Sequence, residues 1–215
     1  MYDPNTRCFI AEPPKCMSRT VEEIVRTAAG TLGKAVNMPG HLSETQVLSS
    51  IADMPGPLEG YVMVMREPVA RMRSILSFTK TPRDSVTHAL DSIDRMVSEN
   101  AGYAQAYTPQ VEYLSTTPIH VPKYFFTRLS DLAAFVGYTG PIPHNNPTPR
   151  SRRLDWDDHL ARAIVAERYQ ADVALYNRVI HHGWGALTIP ADPNSILPSH
   201  GNGAHRPAIH HLGAG

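Results

Sequence analysis

"YVMVMREPVARMRSILSF", Tyr61 to Phe78, runs from an unbroken apolar stretch through Arg66 into a segment opened by Pro68. The apolar stretch suits a strand covered on both faces of a parallel sheet. Proline suits the first turn of the helix that follows, because its missing N–H would have no partner there anyway. The unit is therefore strand, sharp loop, helix. It delivers Arg66 to the carboxyl end of a strand, the edge where open α/β sheets bind ligands. Arg71 and Ser74, three apart, share one helical face near the helix start.

The same unit occurs upstream. "RCFIAE" (Arg7 to Glu12) reads as a short strand ended by "PPK", and "SRTVEEIVRTAAGTLG" follows with Val21, Ile24, Val25, Ala28 and Leu32 at helical spacing. Ser18 is the expected N-cap, with Glu22 and Glu23 suiting the positive helix end. "AVNMPGH" reads as a second short strand ending at His41. "SETQVLSSI" then reads as a short helix with a capping box made by Ser43 and Gln46.

Beyond the opening stretch, "RDSVTHALDSIDRMVSE" (Arg83 to Glu99) is an amphipathic helix, and "VEYLST" and "HVPKYFFT" are expected to be strands or extended segments. "LSDLAAFVG" is a short helix closed by Gly137, and residues 157–180 supply one or two helices. Strands alternating with helices argue for an α/β domain. It is assigned to residues 1–182, and residues 183–215 form a tail rich in proline, glycine and histidine without periodicity.

Lys+Arg and Asp+Glu both number 20 in 215 residues, so no global field recruits nucleic acid or an anionic membrane. The 42% hydrophobic content supports an ordinary globular core. The two cysteines, Cys8 and Cys16, are too few for a disulfide framework. The opening residues lack the pattern of a signal peptide, and the apolar runs fall short of the ~20 residues of a membrane helix. A soluble, cytoplasmic protein is expected.

Any anion site must therefore come from local clustering. In "PPKCMSRT", between the first strand and its helix, Lys15 adds a point charge and Ser18 and Thr20 add hydroxyl donors at a helix start. The same residues also suit an ordinary strand-to-helix turn with a capping serine. The loop is not a Walker A motif, which needs glycines and a Lys-Ser/Thr pair at its end. Magnesium nucleotide enzymes keep an Asp at the end of a neighbouring strand; here that position is Arg66, which argues against ATP or GTP hydrolysis. Arg66 and Ser74 would clamp a phosphate directly. The plainer alternative pairs the arginines with carboxylates such as Glu67 and leaves Ser74 as a packing residue.

Two anion loops without a metal motif suit a nucleotide phosphorylated at both ends of its ribose. Here the chain resembles the sulfotransferases that use 3′-phosphoadenosine 5′-phosphosulfate. "PKCMSRT" resembles their 5′-phosphosulfate loop, and "REPVARMRS" matches every fixed position of their 3′-phosphate motif, R-x-P-x-x-R-x-x-S. "PGH" (39–41) is similar to the histidine-bearing segment of the carbohydrate and bacterial members. "LSDLAAFVGY", "PIPHNN" and "YQADVALYNRV" resemble their C-terminal pattern, so the likeness spans roughly residues 7–181. It departs at Met17, where the family usually has Gly or Ala.

The resemblance implies a three-layer α/β/α fold with a central, mainly parallel sheet, that is, a P-loop NTPase-like sulfotransferase fold. It implies that Lys15 contacts the bridging oxygen and 5′-phosphate, with the loop amides around Cys16 and Met17 and the Ser18 and Thr20 hydroxyls holding the remaining oxygens; Arg19, where some bacterial members also carry arginine, joins the nucleotide-binding set but suits solvent equally well. Arg66 and Ser74 would hold the 3′-phosphate, and Arg150 or Arg152, beside Arg153, would close over the nucleotide. Lys15 and His41 are the implied catalytic residues, His41 as the base that takes the acceptor's proton; it suits an ordinary turn equally well.

Tyr169, Asp172 and Tyr176 read as packing and capping residues, and Cys16 as a small filler. His200, His205, His210 and His211 fit no compact zinc motif, so no metal is expected. The partners implied are the sulfuryl donor and a hydroxyl- or amine-bearing carbohydrate or small molecule, with no nucleic acid and no membrane. The tail suits contact with a second copy or a larger assembly. The competing reading keeps the fold and makes the protein a structural or interaction component. A small-molecule kinase is a weaker third.

Overall fold

Among the described residues four strands form one sheet in the order β1 (Tyr2–Asp3), β2 (Cys8–Ala11), β3 (Gly60–Val64), β4 (Lys123–Phe126). They belong to a computed structural model that describes residues 1–30, 42–49, 54, 56–82, 84–114, 121–143 and 155–182. β1 runs antiparallel to β2, whereas β2, β3 and β4 are mutually parallel. The described helices are α1 (Ser18–Ala29), α2 (Glu44–Ser49), α3 (Pro68–Thr79), α4 (Val86–Glu99), α5 (Ala101–Tyr107), α6 (Leu129–Val136), α7 (Asp155–Arg168) and α8 (Gln170–His182). The chain is a mixed α/β protein. Among the described residues no helix is long and apolar enough to cross a membrane.

The continuous apolar strand reading holds for β3, which is buried at every position. Successive side chains alternate between the sheet faces. Ile10, Val62, Val64 and Phe126 pack on Val21, Ile24 and Val25 of α1 and on Leu132, Ala133 and Val136 of α6. Phe9, Ala11, Tyr61, Met63 and Phe125 form the opposite face, against Val47 of α2 and Leu175 and Val179 of α8. Phe9 and Tyr61, register partners, stack with ring centroids 6.1 Å apart. Gly60 leads into β3 because a Cβ there would lie 2.7 Å from the Cys8 sulfur and 3.0 Å from the Tyr124 ring. A third apolar cluster joins α3, α4, α5 and α7, with Met72, Ile75, Leu90, Ile93, Leu160 and Ile164 at its centre.

Local signals explain most boundaries. Ser43 and Gln46 form the capping box, Ser43 N–H donating to Gln46 Oε1 at 2.8 Å and Gln46 N–H to Ser43 Oγ at 3.4 Å. Gly137 closes α6 with φ 77°, accessible to glycine without steric cost.

Three expectations need correction, and one helix is added. The helix expected from Arg83 starts at Val86, because Ser85 caps it by accepting the His88 N–H. The extended segment expected at "VEYLST" begins instead as a 3-10 turn, Gln110–Tyr113. Its first two N–H groups are held by Asp172, which fixes a turn rather than a strand. α5 was not expected; Asn100, ending α4, restarts the helix by accepting from the Gly102 and Tyr103 N–H groups. Ser18 is not the N-cap of α1: that position is Met17, in the left-handed region at φ 65° and ψ 29°, and no side chain caps the helix. The strand expected to end at His41 lies outside the described residues.

Candidate functional site

β2 and β3 are parallel neighbours, so the loops that follow them emerge side by side at one sheet edge. The first loop carries Lys15, Cys16 and Met17 into α1, and the second carries Arg66 and Glu67 into α3. Glu67 caps α3, its carboxylate accepting from the Val69 and Ala70 N–H groups at 3.0 and 2.6 Å. The acid that sequence alone offers as an arginine partner is thus bonded to the helix start.

Three contacts stitch the loops together. The Arg66 guanidinium donates to the Lys15 carbonyl at 3.1 Å. Arg71 Nε donates to the Pro14 carbonyl at 3.0 Å. Gln110, fully buried, bridges both loops. Its Oε1 accepts from the Cys16 thiol at 3.1 Å and from the Arg66 N–H at 2.9 Å, while its Nε2 donates to the Arg66 carbonyl at 3.0 Å. Buried amide groups satisfied in this way fix a geometry, because any shift leaves one of them unpaired in low dielectric.

The loop so held is strained. Lys15 at φ 66° and Met17 at φ 65° both occupy the left-handed region, with one residue between them. Each such non-glycine residue costs about 1–3 kcal/mol, and strain of this kind gathers at functional sites. The cost also gives a physical reason for glycine at the position of Met17. Met17→Gly is expected to raise stability by about 1 kcal/mol, the relief of strain exceeding the ~0.5–1 kcal/mol entropic cost of glycine. In a thermal melt the midpoint should rise by about 2–4 °C; a fall would mean that the methionine side chain contributes packing worth more than the strain.

Lys15 is half-buried, and its Nζ lies 4.4 Å from the centroid of the Phe78 ring. Its pKa is lowered, first by burial and then by the neighbouring charges of Arg66 and Arg19. The loop is thus locally cationic although the chain is neutral overall. Arg19 is exposed, Ser18 half-buried and Thr20 buried. Among the described residues the Ser18 and Thr20 hydroxyls make no hydrogen bond within the protein. Cys16 is different. Its thiol is bonded to Gln110 and its N–H to the Pro13 carbonyl at 3.0 Å, so both of its polar hydrogens are engaged inside the fold. Burial pushes the thiol pKa up to about 11.

On α3, Arg71, Ser74 and Phe78 lie three and four residues apart and share a face. Arg71 reaches the Pro14 carbonyl and Phe78 lies under Lys15, and Ser74 between them on that face is half-buried. Arg71 itself is 1% exposed. It donates to the carbonyls of Pro14, Ala106 and Thr108 at 3.0, 3.1 and 2.8 Å, and its Nη1 lies 3.9 Å from Asp172 Oδ2. It builds the platform beneath the site.

The structure sets Lys15 beside Arg66, with Cys16 and Met17 in the same loop, Ser18, Arg19 and Thr20 in the first turn of α1, and Ser74 on α3. His41, Arg150, Arg152 and Arg153 lie outside the described residues, as do His200, His205, His210 and His211. Sequence reasoning missed Gln110 and Phe78. For Gln110 no signal exists, since its partners are 44 and 94 residues away. For Phe78 there was one: the buried stripe of α3 runs through Met72, Ile75, Leu76 and Thr79, and an aromatic off that stripe calls for a reason. A scan against family models and searches of curated proteins and solved structures return no match to this chain.

Proposed function

We propose that the protein is a sulfotransferase of P-loop-like fold that moves a sulfuryl group from 3′-phosphoadenosine 5′-phosphosulfate to a hydroxyl or amine of a carbohydrate or small molecule. The observation that carries this reading is the Arg66 guanidinium bonded to the Lys15 carbonyl. It joins the two segments that resemble the 5′- and 3′-phosphate motifs into one cationic surface at the ends of parallel strands. The acceptor oxygen attacks sulfur, the sulfur–oxygen bond to the 5′-phosphate breaks, and the acceptor's proton passes to a base, for which His41 is the candidate. Lys15 stabilises the charge that develops on the leaving phosphate, the usual source of rate in such transfers. Arg66 and Ser74 take the 3′-phosphate, and Ser18 and Thr20 offer hydroxyls to the 5′ end.

The test is calorimetry with 3′,5′-adenosine bisphosphate against adenosine 5′-monophosphate. The bisphosphate should bind without magnesium and at least tenfold more tightly, since one charge-assisted contact is worth about 1.5–3 kcal/mol. Folded protein that ignores the bisphosphate, or that binds only magnesium ATP, would sink the reading.

The pH dependence has a defined sign. Affinity should rise through about pH 6 as each phosphate gains its second charge. It should then hold level and fall at alkaline pH, sooner than for an ordinary lysine. The lowered pKa of Lys15 means that the free protein loses this charge early, and the bound dianion needs the protonated form. Affinity unchanged up to pH 10 would remove Lys15 from the contact.

A further inference from the structure

Phe78 is 55% exposed, one of two large apolar side chains so placed among the described residues. Its ring is not isolated. Tyr103, the third residue of α5, meets it edge-on, with centroids 6.2 Å apart and planes at 85°. The Lys15 ammonium group sits over the Phe78 ring. The two aromatics form a corner, and the Lys15 cation covers its Phe78 ring.

We propose that this corner is the platform on which a ring of the acceptor lies, and that Lys15 covers it until a donor nucleotide draws the ammonium group away. The inference rests on the sulfuryl-transfer reading. In that reaction the acceptor hydroxyl must come within bonding reach of the sulfur. On that reading Lys15 contacts the oxygen bridging sulfur to the 5′-phosphate, so the acceptor would lie within one lysine side chain of that point. Among the described residues Phe78 offers an exposed apolar surface within that reach.

The exchange of partners follows from the relative strengths of the two contacts. A cation over an exposed phenyl ring is weakly held. A charge-assisted bond to a phosphate is stronger. Arg66 and Arg19 make the ring-bound position less favourable still, since a dianion would relieve their mutual repulsion with Lys15. Donor would therefore bind first and uncover the acceptor surface. The surface selects a flat face: an aryl ring by stacking, or the C–H face of a pyranose. An open-chain alcohol gains little from it.

Nuclear magnetic resonance reads both halves. In the free protein the Lys15 ε-methylene protons should be shifted upfield by the Phe78 ring current, and Phe78→Leu should abolish the shift. Adding 3′,5′-adenosine bisphosphate should return them to ordinary positions. 4-Nitrophenol and methyl β-D-glucopyranoside are the ring probes, with 1-butanol as the open-chain control. A ring probe should perturb Phe78 and Tyr103 only in the nucleotide-loaded protein, and the stronger of the two identifies the acceptor class. In turnover assays Phe78→Ala should raise KM for that probe roughly tenfold or more, leave kcat nearly unchanged, and leave nucleotide affinity within about twofold. Three results would overturn the inference while leaving the donor reading intact: nucleotide bound with Lys15 unmoved, ring probes bound equally well without nucleotide, or no ring probe at Phe78 at all. A protein that binds no bisphosphate would overturn both.

Discussion

Lys15→Ala is expected to lower kcat by about 10²–10³, the usual effect of deleting one preorganised group that stabilises transition-state charge. Arg66→Ala should act differently. On the proposed reading its guanidinium takes the 3′-phosphate, so the loss should appear mainly in nucleotide affinity, by about 1.5–3 kcal/mol. It should also erase the preference for 3′,5′-adenosine bisphosphate over adenosine 5′-monophosphate. Ser74→Ala should give a smaller loss in the same direction, since a neutral hydroxyl contributes about half as much as a charged donor. The pattern is more informative than any single value: kcat for Lys15, discrimination at the 3′-phosphate for Arg66 and Ser74. Arg66 also holds the Lys15 carbonyl, so Arg66→Lys is the needed control. A lysine keeps the charge but not the planar fork. If Arg66→Ala lowered kcat and spared the nucleotide preference, the 3′-phosphate assignment would be wrong.

The parts of this site that sequence revealed are those with local causes. The two strand–loop–helix units at residues 8–29 and 60–79 follow from apolar runs, a proline at a helix start and helical spacing, all within a few residues. The register of β2 on β3 then places Lys15 near Arg66, although neither residue announces the other. What sequence could not reveal depends on long-range pairing. Gln110 lies in an unremarkable "TPQVEY" segment, yet it fixes both loops because its amide oxygen accepts from Cys16 and Arg66 while its amide nitrogen donates to the Arg66 carbonyl. The place of Ser18 just before the helical apolar spacing suits a cap, and the chain instead enters α1 through a left-handed Met17. Spacing could not foresee that, because methionine has no preference for that conformation. Arg71 is the subtlest case. Its position three residues before Ser74 correctly puts both on one face, but spacing gives no depth, and the guanidinium turns inward.

Arg71 is consequently where a substitution should damage the fold most. Arg71→Met keeps the aliphatic stem but leaves the carbonyls of Pro14, Ala106 and Thr108 without their donor and Asp172 without its counter-charge. Breaking a buried charged network by removing one member costs about 3–5 kcal/mol. For a domain stable by about 5–15 kcal/mol, that is a large share. Asp172→Asn should cost less. Its contact to Arg71 is long at 3.9 Å, and its main role is to accept the Gln110 and Val111 N–H groups at 2.8 and 2.9 Å. The amide oxygen of asparagine can keep one of those bonds. Burial already pushes the Asp172 carboxyl pKa upward against the pull of Arg71 and the two N–H groups, so replacing the charge relieves part of that penalty. Urea melts should therefore rank Arg71→Met well below Asp172→Asn, with a coupling of about 0.5–3 kcal/mol in the double-mutant cycle. Equal losses would mean that the ion pair, rather than the three carbonyls, is what Arg71 supplies. The carbonyl account carries a second consequence. Releasing the Pro14 carbonyl frees the loop that holds Lys15, so Arg71→Met should weaken nucleotide binding at temperatures where the variant is still folded. Asp172→Asn, which leaves Pro14 tied to Arg71, should not.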